Sequence, residues 1–350
     1  MSTNTENEIL ACQQGSILTV TLNRPAALNA LSEDMIVQMR QGLDRWAVDP
    51  SVALVVFRGA GGKAFCAGGD IKSTWAHRAD LTCNDRYFYN EYNLIRALYY
   101  FPKPTIALMD GITMGGGYGV AGACRFRVAT ENTKWAMPET GIGFFPDVAA
   151  AYYLLRAPGS IGMCLALTGM TIGPEDALYG GFASHYVYAA ALDDMMQALH
   201  DGADGVAALA RFHKAPMITG PLCQHQDLID ECFSEDTPQA VLSALSRQPS
   251  EWAQTMAALL RSRSPLSIGV AFERMKRARG RSFDQIIEDD YVIARRFMRG
   301  NEFFEGVRAV LVDKDKSPKW QPETLENLTE TDVLPLFETL PGNLANGFKG

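Results

Sequence analysis

The residues best suited to chemistry lie between positions 111 and 147. Three consecutive glycines, Gly115, Gly116 and Gly117, open an apolar run, and two carboxylates, Glu139 and Asp147, follow at a spacing of eight positions. Glycine leaves backbone N–H groups open to a ligand, and a carboxylate transfers protons or attacks as a nucleophile. This combination predicts stabilisation of an oxyanion beside acid–base or nucleophilic chemistry.

The triple glycine predicts the start of a helix. Each glycine in a helix interior costs about 1 kcal/mol relative to alanine, so three in a row are disfavoured there. A helix N-terminus instead offers unpaired N–H donors and a partial positive charge, which suit a developing oxyanion. The alternative is close packing of a helix against a strand. A phosphate-binding loop is disfavoured because no Gly-Lys-Ser/Thr follows.

A second glycine turn, Gly68-Gly69-Asp70, lies in the segment KAFCAGGDIK at positions 63–72. Its glycines permit a ligand to approach the backbone N–H groups closely. The alternative is an ordinary turn between a strand and a helix. Lys72, just beyond the turn, is by default an exposed surface lysine.

Three other groups of charged residues have structural explanations from sequence alone. Glu91 lies in an aromatic helical segment, residues 84–100, where a carboxylate is typical of the solvated edge. Asp147 precedes the helical run VAAAYYLL and is a good N-cap, a role compatible with catalysis. The Arg and Lys residues of the helical region 265–312 predict a solvated face, with a phosphate contact as the alternative. These are Arg274, Lys276, Arg277, Arg279 and Arg281.

The periodicity of the chain predicts the elements that position these residues. Residues 8–22 alternate as a hairpin, and Ser32 caps a helix over 33–47 that places Met35, Met39 and Leu43 on one face. Apolar β-branched runs predict buried strands at Val52–Phe57 and Thr105–Met109. Residues 125–137 predict short strands, and residues 190–262 and 265–312 are mainly helical.

Composition and charge exclude several classes of protein. The chain has 350 residues, of which 47% are hydrophobic and 21% charged, as is usual for a soluble globular protein. The net charge of −8 disfavours a nucleic-acid or anionic-membrane partner. No apolar run reaches the length of a membrane helix. We therefore expect neither a nucleic acid nor a membrane as partner.

The cysteines and the N-terminal residues predict a cytoplasmic location. The seven cysteines are scattered, without a CxxC pair, which fits thiols in a reducing cytosol. The polar N-terminus MSTNTENEIL resembles neither a signal peptide nor an Arg-rich transit peptide. Neither HExxH nor a cluster of His and Cys is found, so we expect no metal site.

Three blocks together resemble the crotonase (enoyl-CoA hydratase/isomerase) superfamily. They are NRPAALNALSEDM at 23–35, KAFCAGGDIK at 63–72, and the segment from DGITMGGG to FFPD at 110–147. The segments MPETGIGFFPD and NEFFEGVRAVLVDKDKSPKW, the latter at 301–320, extend the resemblance to a thioester-hydrolysing subgroup. The resemblance covers nearly the whole chain.

The resemblance implies a role for each candidate residue. The substrate's thioester carbonyl oxygen would accept hydrogen bonds from the backbone N–H groups of Gly69 and Gly116. Glu139 and Asp147 would be the catalytic carboxylates, and Glu91 would contact the substrate. The other substrate-binding residues are implied to be Gly68, Asp70, Lys72, Gly115 and Gly117, with Lys72 assigned a phosphate contact.

The implied reaction is hydrolysis of a short 3-hydroxyacyl-CoA, with 3-hydroxyisobutyryl-CoA as the implied substrate and valine breakdown as the pathway. Hydratases of the superfamily carry a glutamate two residues after the triple glycine, where this chain has Gly119. Hydration by two glutamates is therefore disfavoured. The alternatives are a hydratase or isomerase that uses Glu139 alone, and a non-catalytic acyl-CoA-binding protein.

The resemblance also implies an α/β fold, the crotonase-like (ClpP/crotonase) spiral of ββα units with a helical C-terminal region. Residues 1–190 would form the core with the CoA-thioester site, and residues 191–350 would cover the site or mediate oligomer contacts. A homo-oligomer is compatible with the family, and the assembly stays open. No cofactor is expected, because coenzyme A is part of the substrate. The glycines that usually follow the PDV segment in the family are replaced by alanines, which would narrow the acyl pocket.

Overall fold

A computed structural model describes residues 7–202, 204–216 and 218–340 of the chain. Its strands are β1 (Ile9–Gln14), β2 (Ile17–Leu22), β3 (Leu54–Gly59), β4 (Ala64–Cys66), β5 (Thr105–Met109), β6 (Ile112–Met114), β7 (Phe126–Ala129), β8 (Lys134–Ala136) and β9 (His185–Tyr186).

Within the described residues, seventeen α-helices alternate with and follow these strands. They are α1 (Glu33–Val48), α2 (Ile71–Ala76), α3 (Leu81–Tyr99), α4 (Gly116–Ala123), α5 (Ala150–Leu154), α6 (Ile161–Thr168), α7 (Pro174–Tyr179), α8 (Leu192–His200), α9 (Gly205–Phe212), α10 (Pro221–Gln224), α11 (Gln226–Phe233), α12 (Pro238–Arg247), α13 (Glu251–Arg261), α14 (Pro265–Arg277), α15 (Phe283–Phe297), α16 (Glu302–Val307) and α17 (Glu330–Val333). Short 3₁₀ helices include Glu139–Ile142, and a π-helical turn spans Arg308–Val312.

The strands form two sheets whose order follows a repeated ββα pattern. One sheet has the order β1-β2-β3-β5-β7-β9, and the other has the order β4-β6-β8. From β3 onward, the first strand of each pair joins the six-stranded sheet and the second joins the three-stranded sheet. Strands β1 and β2 are antiparallel, whereas β2, β3, β5, β7 and β9 are parallel to one another. The predicted α/β class and its ββα repeat are confirmed.

The contacts group the chain into two compact units, each built from several segments. The first comprises the described parts of Met1–Gly69, Asn93–Trp135 and Ile172–Gly220. The second comprises the described parts of Asp70–Tyr92, Ala136–Thr171 and Pro221–Gly350. The predicted roles of residues 1–190 and 191–350 stay predictions, although the described regular elements from Leu192 onward are helices.

The core of the first unit lies between the six-stranded sheet and two helices. Apolar side chains of β2, β3, β5 and β7 pack against α8 and α9. Its members include Ile17, Leu54, Val56, Ile106, Leu108, Val128, Met195, Leu199 and Leu209. Strands buried in this way require continuous apolar runs, which is why Thr105–Met109 was predictable residue for residue.

Several predicted elements are confirmed. The hairpin of residues 8–22 is β1 and β2. Ser32 caps α1, since its hydroxyl accepts a hydrogen bond from the Met35 N–H at 3.1 Å, and the predicted face of α1 is buried. No helix among the described residues has both the length and the apolar character needed to cross a membrane.

Candidate active site

The glycines of the Gly68-Gly69-Asp70 turn lie in the first unit, just after β4. Gly68 adopts a φ of +120°, a conformation that favours glycine, and its carbonyl accepts a hydrogen bond from Leu31 N at 2.8 Å. The N–H of Ala67 donates to Leu28 O at 3.0 Å. Backbone hydrogen bonds to the segment between β2 and α1 therefore fix the turn that contains Gly69.

The triple glycine begins a helix, as predicted. Gly115 is the N-cap of α4, with φ +50° and ψ −128°, and Gly116 is the first residue of the helix. Every residue of α4 is buried. A Cβ atom added to Gly117 would lie 2.2 Å from the carbonyl oxygen of Cys66, so α4 also packs closely against the end of β4. Both explanations offered by the sequence therefore hold for this segment.

The two glycine turns are neighbours within the first unit. A Cβ atom on Gly68 would lie 3.8 Å from the backbone nitrogen of Gly116 and 3.4 Å from Met114 O. None of the hydrogen bonds found in the described part of the chain uses the N–H of Gly69 or Gly116. The first unit thus places the turn that carries Gly69 beside the start of α4, and an oxyanion hole needs two such backbone donors at one place.

Asp70 and Lys72, which come directly after Gly69 in the chain, belong to the second unit. Asp70 is the N-cap of α2, where its side chain accepts a hydrogen bond from Ser73 N at 3.2 Å. Lys72 is an exposed residue of the same helix. Capping accounts for Asp70 structurally, and the implied substrate contacts of both residues stay predictions.

Three of the candidate residues, Glu91, Glu139 and Asp147, carry buried carboxyl groups in the second unit. Glu91 on α3 is 3% exposed, Glu139 at the start of a 3₁₀ helix is 6% exposed, and Asp147 is 5% exposed. The predicted position of Glu91 on a solvated edge is therefore wrong. Among the described residues, Glu91 Oε1 and Glu139 Oε2 are buried without a hydrogen-bond partner. Buried polar atoms are usually satisfied, so these two oxygens are candidates for contact with a substrate or water.

Asp147 has a side-chain hydrogen-bond partner in Tyr92. The Tyr92 hydroxyl donates to Asp147 Oδ2 at 2.6 Å, and both residues are buried. Sequence reasoning missed Tyr92, since a tyrosine in an aromatic segment looks like core packing. Its position directly after Glu91 was the only available signal.

Burial is the main reason that all three carboxyls resist ionisation. The pKa values of Glu91 and Glu139 are raised well above the usual range, first by burial and then by the charge of Asp147. Burial also raises the pKa of Asp147 to about 7, with the Tyr92 hydrogen bond opposing the shift and the charge of Asp290 adding to it. Clustered carboxyls with raised pKa values are typical of catalytic sites.

Aromatic rings line this part of the second unit. Phe144 stacks on Phe88, with ring centroids 5.5 Å apart, and packs against Phe303 at 5.3 Å. Phe145 stacks on Phe297 at 5.7 Å. Such apolar surroundings exclude water, which explains why burial dominates the pKa shifts.

The segment after Glu139 is anchored on both sides. The hydroxyl of Thr140 donates to Leu167 O at 3.2 Å, and the Thr140 carbonyl accepts from Ser264 N at 3.0 Å. These bonds connect the 3₁₀ helix to the end of α6 and to the residue before α14. Glu139 is therefore held by a rigid backbone, as a catalytic side chain requires.

Asp147 is not a helix cap, so that prediction is wrong. The N-cap of α5 is Ala149, and the Asp147 side chain instead bonds to Tyr92. Val148 and Ala149 have φ values of +53° and +61°, a left-handed conformation that costs non-glycine residues about 1–2 kcal/mol each. Ala149, the first of the alanines after the PDV segment, therefore lies where glycine would be favoured.

The prediction of a solvated basic face is wrong for Arg274. Arg274 on α14 is buried, and its Nε donates to Asp290 Oδ1 at 2.8 Å. Asp290 on α15 is also buried, and its other oxygen accepts from Ala149 N at 2.8 Å. The remaining basic residues of the group are exposed, as expected.

The donor set of the site gives no support for a bound metal. Within the described ranges, no group of three or more His, Cys, Asp or Glu side chains is arranged to hold a metal ion.

Comparison with known proteins supports one family over almost the full chain. The family model for enoyl-CoA hydratase/isomerase matches residues 17–337. A 3-hydroxyisobutyryl-CoA hydrolase, mitochondrial, of Rattus norvegicus is 39% identical and covers 97% of this chain and 91% of the relative. Its namesake in Homo sapiens is 38% identical over 97% of this chain and 90% of that relative.

Two solved structures share the fold across the same extent. A carnitinyl-CoA dehydratase from Mycobacterium thermoresistibile superposes with a TM-score of 0.93 at 38% identity, covering 99% of this chain and 100% of that one. An enoyl-CoA hydratase from Rhodobacter sphaeroides gives 0.90 at 35% identity, covering 95% and 98%. The chain therefore belongs to the enoyl-CoA hydratase/isomerase (crotonase) family.

Proposed function

We propose that this chain hydrolyses 3-hydroxyisobutyryl-CoA to 3-hydroxyisobutyrate and coenzyme A. The observation that carries the proposal is the pair of buried carboxyls Glu139 and Asp147, in which Glu139 Oε2 has no hydrogen-bond partner among the residues that the structure describes. The names of the curated relatives, which cover nearly the whole chain at 38–39% identity, support the substrate.

In the proposed reaction, the thioester carbonyl oxygen accepts hydrogen bonds from Gly69 and Gly116. Loss of one such donor costs on the order of 3 kcal/mol of transition-state stabilisation. Family membership and the adjacency of the two glycine turns support this assignment. Gly68, Gly115 and Gly117 shape the turns, and Lys72 is proposed to contact a CoA phosphate.

Glu139 either attacks the carbonyl carbon as a nucleophile, giving an anhydride that water then hydrolyses, or acts as the base that deprotonates an attacking water. In both routes the C–S bond breaks, the sulfur leaves with a proton as the CoA thiol, and the hydroxyl of water ends in the free acid. Glu139 must be ionised when it acts, although burial raises its pKa well above the usual range. We therefore expect hydrolysis to accelerate as the pH rises through the ionisation of the site.

Asp147 is proposed to orient the substrate hydroxyl or to carry the proton between Glu139 and the leaving thiol. Its pKa of about 7 suits proton transfer near neutral pH. The hydrogen bond from Tyr92 leaves one Asp147 oxygen for this purpose. Glu91 is proposed to contact the acyl group through Oε1, which has no hydrogen-bond partner in the described part of the chain.

Hydration is the competing function, and the names of the two similar solved structures favour it. Two-glutamate hydration needs a carboxylate two residues after the triple glycine, but Gly119 occupies that position within α4. A hydratase or isomerase would have to work with Glu139 alone, and Asp147 would then have no direct task. A non-catalytic acyl-CoA-binding protein would need neither carboxylate.

The test compares two substrates on the purified full chain. Release of CoA from 3-hydroxyisobutyryl-CoA is followed with a thiol reagent, and loss of the enoyl absorbance is followed with crotonyl-CoA. We expect thiol release, abolished in Glu139→Gln and retained in the control Glu251→Gln, which alters an exposed helix residue. Asp147→Asn should slow thiol release on the order of a hundredfold or more.

Each competing function has its own outcome. Loss of enoyl absorbance without thiol release would overturn the hydrolase proposal in favour of hydration. Tight binding of the thioester without turnover of either substrate would favour the non-catalytic alternative. Full thiol release by Asp147→Asn would remove Asp147 from the mechanism.

We also propose that the reaction needs no metal or prosthetic group, which retained activity after dialysis against a chelator would support.

A cytoplasmic location is proposed from the seven free thiols, although both curated relatives are named mitochondrial. Cell fractionation decides between these compartments. A role in valine breakdown and a homo-oligomeric assembly are proposed from family resemblance, and light scattering measures the assembly.

A further inference from the structure

The turn that carries Asp147 has an unusual backbone. Val148 and Ala149 both adopt positive φ values, +53° and +61°. Non-glycine residues rarely take this conformation, and it is a genuine outlier for a β-branched residue such as valine. Strained backbone of this kind persists only where surrounding contacts hold it.

Asp290 supplies the side-chain contact that holds this turn. Its Oδ2 accepts the Ala149 N–H at 2.8 Å, and the carboxyl group is fully buried. Helix α15 thus bonds directly to the backbone two residues after Asp147. The next residue of α15, Tyr291, packs edge-to-face against Tyr92 with ring centroids 6.4 Å apart.

Arg274 fixes Asp290 in turn. Its Nε donates to Asp290 Oδ1 at 2.8 Å, and its Nη2 donates to Ile286 O at 2.6 Å. Its Nη1 bonds to Asp289, which lies next to Asp290 but also pairs with the exposed Arg281. A buried carboxylate needs such a partner, because an uncompensated buried charge is strongly destabilising.

We propose that Asp290, held by Arg274, is a positioning residue that keeps the Asp147–Ala149 turn in its left-handed conformation and so aims the Asp147 carboxyl. The proposal rests on the proposed function in one respect, that Asp147 acts on the substrate. The groups that face Asp290 are Arg274 of α14, Asp289 of α15, Tyr92 of α3, and the Asp147 turn with its Ala149 N–H.

The test uses Asp290→Asn, with Asp289→Asn as the matched control. Asp289 bonds to the same arginine and has the same side chain, but its ion pairs are with Arg274 and Arg281 and not with the turn. We expect Asp290→Asn to lower kcat on the order of tenfold to a hundredfold with KM changed by less than about threefold. Asp289→Asn should keep the wild-type values.

A second variant, Ala149→Gly, separates positioning from general folding. Glycine accepts a positive φ without strain, so the turn should need Asp290 less. We expect Ala149→Gly/Asp290→Asn to recover more than half of the logarithmic loss in kcat. Loss of the Asp290 charge should also lower the pKa of Asp147 and so alter the pH profile, because that charge raises the pKa of Asp147 in the wild type.

A readout without substrate distinguishes failure of this proposal from failure of the hydrolase proposal. Hydrogen exchange of a peptide containing residues 145–152 should be faster in Asp290→Asn than in the wild type. In the double variant it should return toward the wild-type rate. If the wild type hydrolyses no 3-hydroxyisobutyryl-CoA but this pattern holds, the hydrolase proposal fails and the positioning of the turn stands.

The remaining outcomes are decisive. A folded Asp290→Asn with wild-type kcat, pH profile and exchange would overturn the proposal, as would a slow variant that Ala149→Gly leaves unimproved. If Asp290→Asn does not fold but the double variant does, the proposal is supported. If neither folds, Asp290 is a general folding residue and the proposal is wrong.

Discussion

The buried carboxyls of Glu91, Glu139 and Asp147 influence one another's pKa values through their charges. Among the described residues, Glu91 Oε1 has no hydrogen-bond partner. The charge of Glu91 raises the pKa of Glu139, although burial and the charge of Asp147 raise it more. Glu91 therefore makes Glu139 harder to ionise in the free enzyme. The residue proposed to contact substrate also tunes the residue proposed to attack it.

Replacing Glu91 with glutamine should move the acid limb of kcat/KM for thioester hydrolysis to lower pH. Glutamine is nearly isosteric but removes the charge that opposes ionisation of Glu139, so we expect a shift of less than about one pH unit. The measurement is the pH profile of kcat/KM, which reports the free enzyme. A limb that stays in place or moves upward would show that Glu91 does not act on Glu139.

At the scale of elements, close contact between α4 and β4 fixes the proposed oxyanion hole. The carbonyl of Cys66, the last residue of β4, occupies the space that a side chain on Gly117 would need. Gly116, whose N–H is one of the two proposed donors, precedes Gly117 directly. The exact spacing of the helix and strand thus depends on a residue that has no side chain.

Gly117→Ala should therefore be costly for both stability and activity. Its Cβ would lie 2.2 Å from Cys66 O, and relieving such overpacking costs about 1–3 kcal/mol. Urea unfolding measures this loss, and kcat should fall because the displaced helix carries Gly116. Gly205→Ala is the control, since its Cβ would meet Leu54 at an ordinary 3.5 Å. Equal stability of the two variants would contradict the packing argument.

Elements set by local sequence were predictable, and those set by distant partners were not. Ser32 caps α1 through Met35, only three residues away, and the triple glycine starts a helix because glycine is costly inside one. Asp147 looked like a cap because its local sequence allowed it. The turn beyond it is instead held by Asp290, whose bond to Ala149 spans 141 positions.

The same distinction explains Glu91 and Arg274. A charged residue on a helix is usually solvated, so local sequence placed both of them at the surface. Packing of other helices buries them, and no local pattern states which face another helix will cover. The family resemblance singled out Glu91, whereas neither reasoning from residues nor the resemblance identified Tyr92 or Asp290.

At the scale of the whole molecule, the buried carboxyls make stability depend on pH. A carboxyl whose pKa is raised on folding keeps its proton where the unfolded chain has already lost it. The folded state then binds more protons, so the free energy of unfolding falls as the pH rises. For Asp147 the window runs from about 4, the unfolded pKa, to about 7 in the folded chain.

We accordingly expect the Tm of the wild type to be lower at pH 8 than at pH 5. Asp147→Asn cannot ionise, so its Tm should fall less over the same range, and its advantage over the wild type should grow with pH. Calorimetry at intervals across this range makes the comparison, with Glu251→Gln as a control that parallels the wild type. Parallel curves for Asp147→Asn would contradict the raised pKa.

The three buried carboxyls also bear on how a product would leave. Under the proposed function, the uncharged acyl thioester group of the substrate enters the surroundings of Glu91, Glu139 and Asp147, and hydrolysis turns this acyl end into a carboxylate. A fourth acidic group among three others in an apolar setting is poorly tolerated, because like charges repel strongly where water is scarce. The reaction would therefore create its own driving force for ejecting the acid, and the free acid would be a poor inhibitor whose hold on the enzyme improves only as acidification neutralises the site.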